Sequence, residues 1–151
     1  MANLYHLKEL KKGVDSWNQW REKNPEIIPN LFEGKFEKAN FAGINFKKAN
    51  LGRTYFYLAN LEGANFERAN LFQALLSLAN LKYANITEAN LQRATLIEAK
   101  LFQVNLTNAE LMEANLEQAD LENANLSKAN FIGANLNQVN LKNADTAGTV
   151  F

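Results

Sequence analysis

From about residue 30 to the end of the chain, an apolar residue returns at every fifth position. Leucine or phenylalanine falls at Leu31, Phe36, Phe41, Phe46, Leu51 and Phe56, and the beat runs on through Leu81, Leu101 and Leu121 to Leu141. Thr146 interrupts it and Phe151 resumes it in phase. Two positions before each of these centres stands a small residue, mostly alanine. Between the two there is usually an asparagine, as in ANLEG ANFER ANLFQ over residues 59–73.

Neither regular element carries this pattern alone. At about 100° per residue, a helix would turn each centre by about 140° from the last and smear the apolar set around the cylinder. In an uninterrupted strand the small residue and the centre share a face, but the next small residue, three positions on, faces the other way. The chain must therefore bend once per word, at the two variable residues after each centre. Each word is a short extended side followed by a corner.

The size of the closed figure follows from packing. A side of about three extended residues is roughly 10 Å long, and facing sheets pack about 10 Å apart. Sides equal to the width make a square, so about four words form one coil of about twenty residues, and successive coils stack at about 4.8 Å. The fold class expected is an all-β solenoid of about six coils, its interior filled by columns of Leu or Phe and of Ala, with each coil burying its neighbours. Phe36 with Phe56, and Phe46 with Phe66, fall in the same columns and are expected to stack as core reinforcement. Asparagines one coil apart are expected to exchange side-chain amide hydrogen bonds as a ladder.

Tandem A(D/N)LXX words of this density resemble the pentapeptide-repeat family over most of the chain. The resemblance implies a right-handed quadrilateral β-helix and, by itself, no particular activity. Some members of that family are DNA mimics that bind DNA gyrase, which makes a topoisomerase-directed mimic the alternative reading of function. The leader WNQWREKNPEIIPNL is similar to one found ahead of some small stand-alone cyanobacterial members.

Residues 1–28 are of another kind, and the domain reading is an N-terminal helical cap over 1–28 and the β-helix over 29–151. Leu4, Leu7, Leu10, Val14, Trp17 and Trp20 recur every three or four positions, as along one side of a helix. Gly13 is expected to bend or split it, and Pro25 and Pro29 to end it. Such a helix covers either the open end of the first coil, whose strand edge would otherwise invite pairing with another chain, or a partner.

The composition narrows the chemistry. The formal net charge is zero, with 16 basic and 16 acidic side chains and no cysteine, so disulfide and thiolate chemistry are absent. The start of the chain lacks the apolar core of a signal peptide and no run reaches transmembrane length, so cytoplasmic residence without a membrane role is the expectation. No cofactor-binding motif or catalytic constellation stands out. The one histidine, His6, has no nucleophile placed for it and is read as a surface or helix-packing residue. An enzyme is not expected.

Glu110, Glu113, Glu117, Asp120 and Glu122 form an acidic belt, with no Lys or Arg between Lys100 and Lys128. They fall on three sides of the square and point away from a convex rod. That suits a solvated belt better than a hard-cation site, whose oxygens must converge. Residues 1–53 carry ten basic and six acidic side chains, and 54–151 the reverse. One belt is short of a duplex-like charge array, and the scattered basic residues form no nucleic-acid stripe.

The expected function is that of a non-enzymatic protein-binding or scaffold rod whose partner is another protein. Its candidate surface is the set of outward positions Tyr55, Tyr57, Leu58, Phe72, Leu75, Leu78 and Ile97, which are apolar where other words carry Asn, Lys, Glu or Gln. Together they expose on the order of 400 Å², in the range where patches mark binding sites. A homodimer through the C-terminal end is also expected, because Phe131, Leu136 and Leu141 would form a thinly covered apolar floor.

Overall fold

The computed structural model covers residues 1–151: two short helices, α1 (Leu4–Leu10) and α2 (Val14–Lys23), followed by a stack of four-sided coils. Asn3 caps α1, its side chain accepting from the N–H groups of Tyr5 and His6. Gly13, at φ +100°, separates the two helices at the point where the sequence predicts a break. α2 gives way before Pro25.

Residues twenty apart pair in parallel register throughout, from Asn30 with Asn50 to Asn130 with Val150. Four words therefore make one coil. The sides are shorter than the three extended residues expected, since each contributes a single bridged residue at the asparagine position. The word centred on Leu81 explains why so little strand suffices. Its five N–H groups each find a different acceptor. Ala79 donates to Leu76 O in its own turn (3.1 Å), Asn80 to Ala59 O one coil below (2.9 Å) and Leu81 to Lys100 O one coil above (2.8 Å). Lys82 donates to the Asn80 side chain (3.3 Å) and Tyr83 to Phe102 O above (3.1 Å). No main-chain donor in this word is left over, which is the condition for burying a turn-rich backbone.

The asparagine column thus has two roles. The expected ladder is present: Asn60 donates to Asn40 Oδ1 at 3.0 Å and Asn70 to Asn50 Oδ1 at 3.2 Å. The second role is local. The same Oδ1 accepts the N–H of the first corner residue, closing an Asx turn at almost every corner.

Each corner is closed by a hydrogen bond from the small residue's N–H to the carbonyl of the preceding centre. The second corner residue has φ between +52° and +70° at all corners, as a type II turn requires. Only four of these residues are glycine; twenty are Glu, Lys, Arg, Gln, Asn, Leu or Tyr. The left-handed conformation costs such residues about 1 kcal/mol each, and the hydrogen bond each interior corner N–H donates to the next coil offsets it.

Inside, the centres are fully buried from Phe46 to Phe131. Phe36 and Phe56 lie 5.4 Å apart, and Phe46 and Phe66 5.6 Å, stacked by column as expected. At the C-terminal end the expected floor is only partly open. Leu136 and Leu141 are half-buried, but Phe131 is 1% exposed because Phe151 stacks on it at 5.7 Å, nearly parallel.

At the other end the helices lie over the first coil, not over the apolar side. Trp17 is wholly buried, edge-on to Phe46 at 5.9 Å, and Trp20 and Leu10 complete the contact. Leu4 departs from the expected helix face: it is 80% exposed. No helix is long and apolar enough to cross a membrane.

Candidate functional site

One side of the rod breaks the rule that holds the others together. The column Lys35, Tyr55, Leu75, Thr95 occupies the bridged position with no asparagine, and asparagine returns above it at Asn115 and Asn135. Where asparagine is present, the corner N–H is capped: Glu117 donates to Asn115 Oδ1 and Asn137 to Asn135 Oδ1, both at 3.1 Å. In the broken stretch the N–H groups of Glu37, Tyr57, Ser77 and Ile97 have no acceptor in the protein. Four successive coils thus present unpaired donors in register, one above another. Elsewhere the same break is isolated, at Phe102 beside Lys100 and at Met112 beside Glu110.

The seven apolar residues named from the sequence gather around this column. Tyr55 pairs with Leu75 across adjacent coils. Leu58 and Leu78 take the left-handed corner above one another, at φ +58° and +59°. Tyr55, Tyr57, Leu58 and Leu75 are 38–43% exposed, whereas Phe72, Leu78 and Ile97 are half-buried against their neighbours. The outward set is therefore four strongly exposed side chains with three partly covered ones behind them. The helices leave all seven clear.

The acidic belt is less acidic in space than in sequence. Arg93, one coil below, holds Glu113 at 2.8 Å and keeps its carboxyl below the ordinary range, and Lys142, one coil above, lies 3.4 Å from Glu122. Glu110 accepts from Asn130, Glu117 weakly from Asn135, and Asp120 from Asn140. The twenty-residue offset brings in cations that the local sequence lacks. The five carboxylates remain spread over three sides, each engaged with its own neighbour.

Of the two roles expected for His6, surface or helix packing, the structure shows the second, against Trp20. It is 8% exposed, and its Nδ1 accepts the N–H of Asn30 at 2.9 Å. Burial lowers its pKa below 6.5, and the Arg21 guanidinium adds to the shift. Nothing in the spacing of the N-terminal residues signals this contact, because it joins the helix to the first coil.

Residues 30–101 match the family described as pentapeptide repeat region, and residues 109–145 match pentapeptide repeats (8 copies). No curated protein matches the chain. Among solved structures, HetL, a pentapeptide repeat protein involved in heterocyst differentiation regulation from the cyanobacterium Nostoc sp. strain PCC 7120, is 34% identical. The match covers 80% of this chain and 56% of HetL, with a TM-score of 0.78. QnrB1, a plasmid-mediated fluoroquinolone resistance protein, is 22% identical over 80% of this chain and 63% of its own, with a TM-score of 0.64, a likeness of fold. The chain thus spans less than two thirds of either relative. With its word, its square coils and these matches agreeing, the chain belongs to the pentapeptide-repeat family and folds as a right-handed quadrilateral β-helix.

Proposed function

We propose that this is a non-enzymatic protein-binding rod that recognises another protein through the side bearing Tyr55, Tyr57, Leu58, Leu75 and Leu78. The observation that carries the reading is the loss of the asparagine cap on four consecutive coils, the upper three of which bear the outward apolar residues. A rule kept on nearly every other corner for stability is given up there. Unpaired N–H donors beside exposed tyrosine and leucine are the parts a protein interface uses. The rigid scaffold holds them without an ordering cost on binding. HetL's regulatory involvement is of a kind a binding rod serves, and a cytoplasmic location is part of this proposal.

The alternative, a topoisomerase-directed DNA mimic, has less support. Mimicry needs an uninterrupted negative surface, and here Arg93 and Lys142 reach into the acidic belt from the adjoining coils. Two experiments separate these readings. Leu75→Asn with Leu78→Lys is expected to abolish capture of the protein that the native rod retains, with the melting temperature kept within a few degrees. A supercoiling assay with DNA gyrase is expected to show no inhibition at micromolar rod. Inhibition relieved by Glu110→Lys with Glu117→Lys would replace the proposal with the mimic.

A further inference from the structure

The cap imitates a coil, but only on two of four sides. At the Asn30 side, the Asn3 N–H donates to Asn30 O at 2.9 Å and His6 Nδ1 takes the Asn30 N–H. At the Asn45 side, Trp17 Nε1 donates to Asn45 O and Asn18 Oδ1 takes the Asn45 N–H, both at 2.8 Å. The corner carbonyls flanking that side are also served, Gly43 O by Asn18 Nδ2 and Lys47 O by Arg21 Nη2, each at 3.0 Å. Helical side chains thus supply the donors and acceptors that a lower coil would have supplied.

The sides at Lys35 and Asn40 receive nothing of this kind. Their N–H and C=O groups, and the corner carbonyls of Glu37 and Ala42, have no partner in the protein. One coil up, every equivalent group is paired. Tyr55 N–H donates to Gly34 O and accepts at its own carbonyl from Phe36, and Asn60 does the same with Ala39 and Phe41. Against the Lys35 part of this edge lies a cavity of about 530 Å³ whose apolar lining includes Met1, Leu4, Leu7, Leu10, Phe36 and Phe41. Phe36 and Phe41, buried columns higher up, are here left half-buried.

We propose that this groove binds a two-word segment of a partner protein, which adds a partial coil of two sides and one corner beneath Lys35 and Asn40. The edge specifies the occupant. Its donors and acceptors match a segment running parallel to the first coil, one bridged residue per side, and the floor of Phe36 and Phe41 calls for an apolar residue set two positions after a small one. A compact apolar ligand would leave the main-chain groups unpaired. The remaining coil of a second rod cannot seat there, because α1 and α2 occupy the other two sides. The inference is independent of the lateral surface, since it rests on the first coil's edge and not on the missing asparagines.

The test uses the intact chain and a labelled peptide, Ala-Asn-Phe-Glu-Arg-Ala-Asn-Leu, the chain's own word at residues 64–71, with a scrambled peptide of equal composition. Saturable binding of the first is expected, with amide exchange slowed at Lys35 and Asn40. Lys35→Pro removes a donor that has no partner in the free protein and is expected to weaken binding by about tenfold, as loss of one strand hydrogen bond does. Leu4→Lys, at a position already exposed, is expected to do the same without touching the edge. Failure of the peptide to bind, equal binding of the scrambled peptide, or indifference to Leu4→Lys would overturn the proposal. Self-association of the rod that Leu4→Lys abolishes would give the groove to a second copy instead and overturn it too.

Discussion

The indole of Trp17 donates to the carbonyl of Asn45 at 2.8 Å while its ring meets Phe46 edge-on, so a single helical side chain serves both the edge and the core of the first coil. Trp17→Phe keeps an aromatic ring and removes only the donor. It leaves a part-buried carbonyl unpaired, which costs about 1 kcal/mol. Urea unfolding should show that loss. A change within a few tenths of a kcal/mol would mean the cap contributes through packing alone.

Leu81 is fully buried and Lys82, its neighbour, stands at the corner. Leu81→Asp puts a charge among apolar columns and should cost more than about 4 kcal/mol or prevent folding. Lys82→Asp should be nearly neutral, because its main-chain bond to Asn80 does not involve the side chain. Thermal melts of the two variants should differ sharply, and equal losses would contradict the assignment of inward and outward positions.

The fold was legible because the period of five admits one geometry, and Leu81 beside Lys82 is that periodicity in miniature. The apolar side at Tyr55 and Leu75 was legible as a departure from the word. Its meaning was not, since that depends on the corner cap that asparagine provides and leucine cannot. The pairing of two belt carboxylates with cations was hidden for a related reason: Arg93 and Glu113 are twenty residues apart, and only the stacking makes them neighbours. The cap contacts of His6 and Asn18 are joins between a helix and a coil, for which no local pattern exists.

His6 gives the stability a pH dependence. Its imidazole is buried against Trp20 and faces Arg21, so its folded pKa lies below the ordinary 6.5. The unfolded chain therefore binds the proton more tightly. Stability from this group is fully present above about pH 6.5 and is lost as pH falls from there through the lowered folded value. His6→Gln keeps an acceptor near Asn30 but does not titrate. Unfolding free energies measured between pH 7.5 and 5 should fall for the native protein and stay flatter for His6→Gln; parallel curves would remove His6 from the account.

The last prediction concerns what the apolar side costs the rod. If Tyr55 and Leu75 are there for binding, restoring the word should improve the fold. Asparagine at 75 would place Oδ1 where Asn115 and Asn135 hold theirs, and so take up the free N–H of Ser77. Asparagine at 55 would do the same for Tyr57, and the two would form a ladder rung with each other. Each new corner bond contributes about 0.5–1.5 kcal/mol. Against this stands the loss of apolar contact from side chains each 38% exposed, a partial burial only. The double variant Tyr55→Asn with Leu75→Asn should therefore melt at or above the native temperature, and amide exchange at Tyr57 and Ser77 should slow. Capture of the partner should be lost at the same time. A double variant that melts well below the native protein would mean that Tyr55 and Leu75 serve the core, and the lateral surface would lose its claim to function.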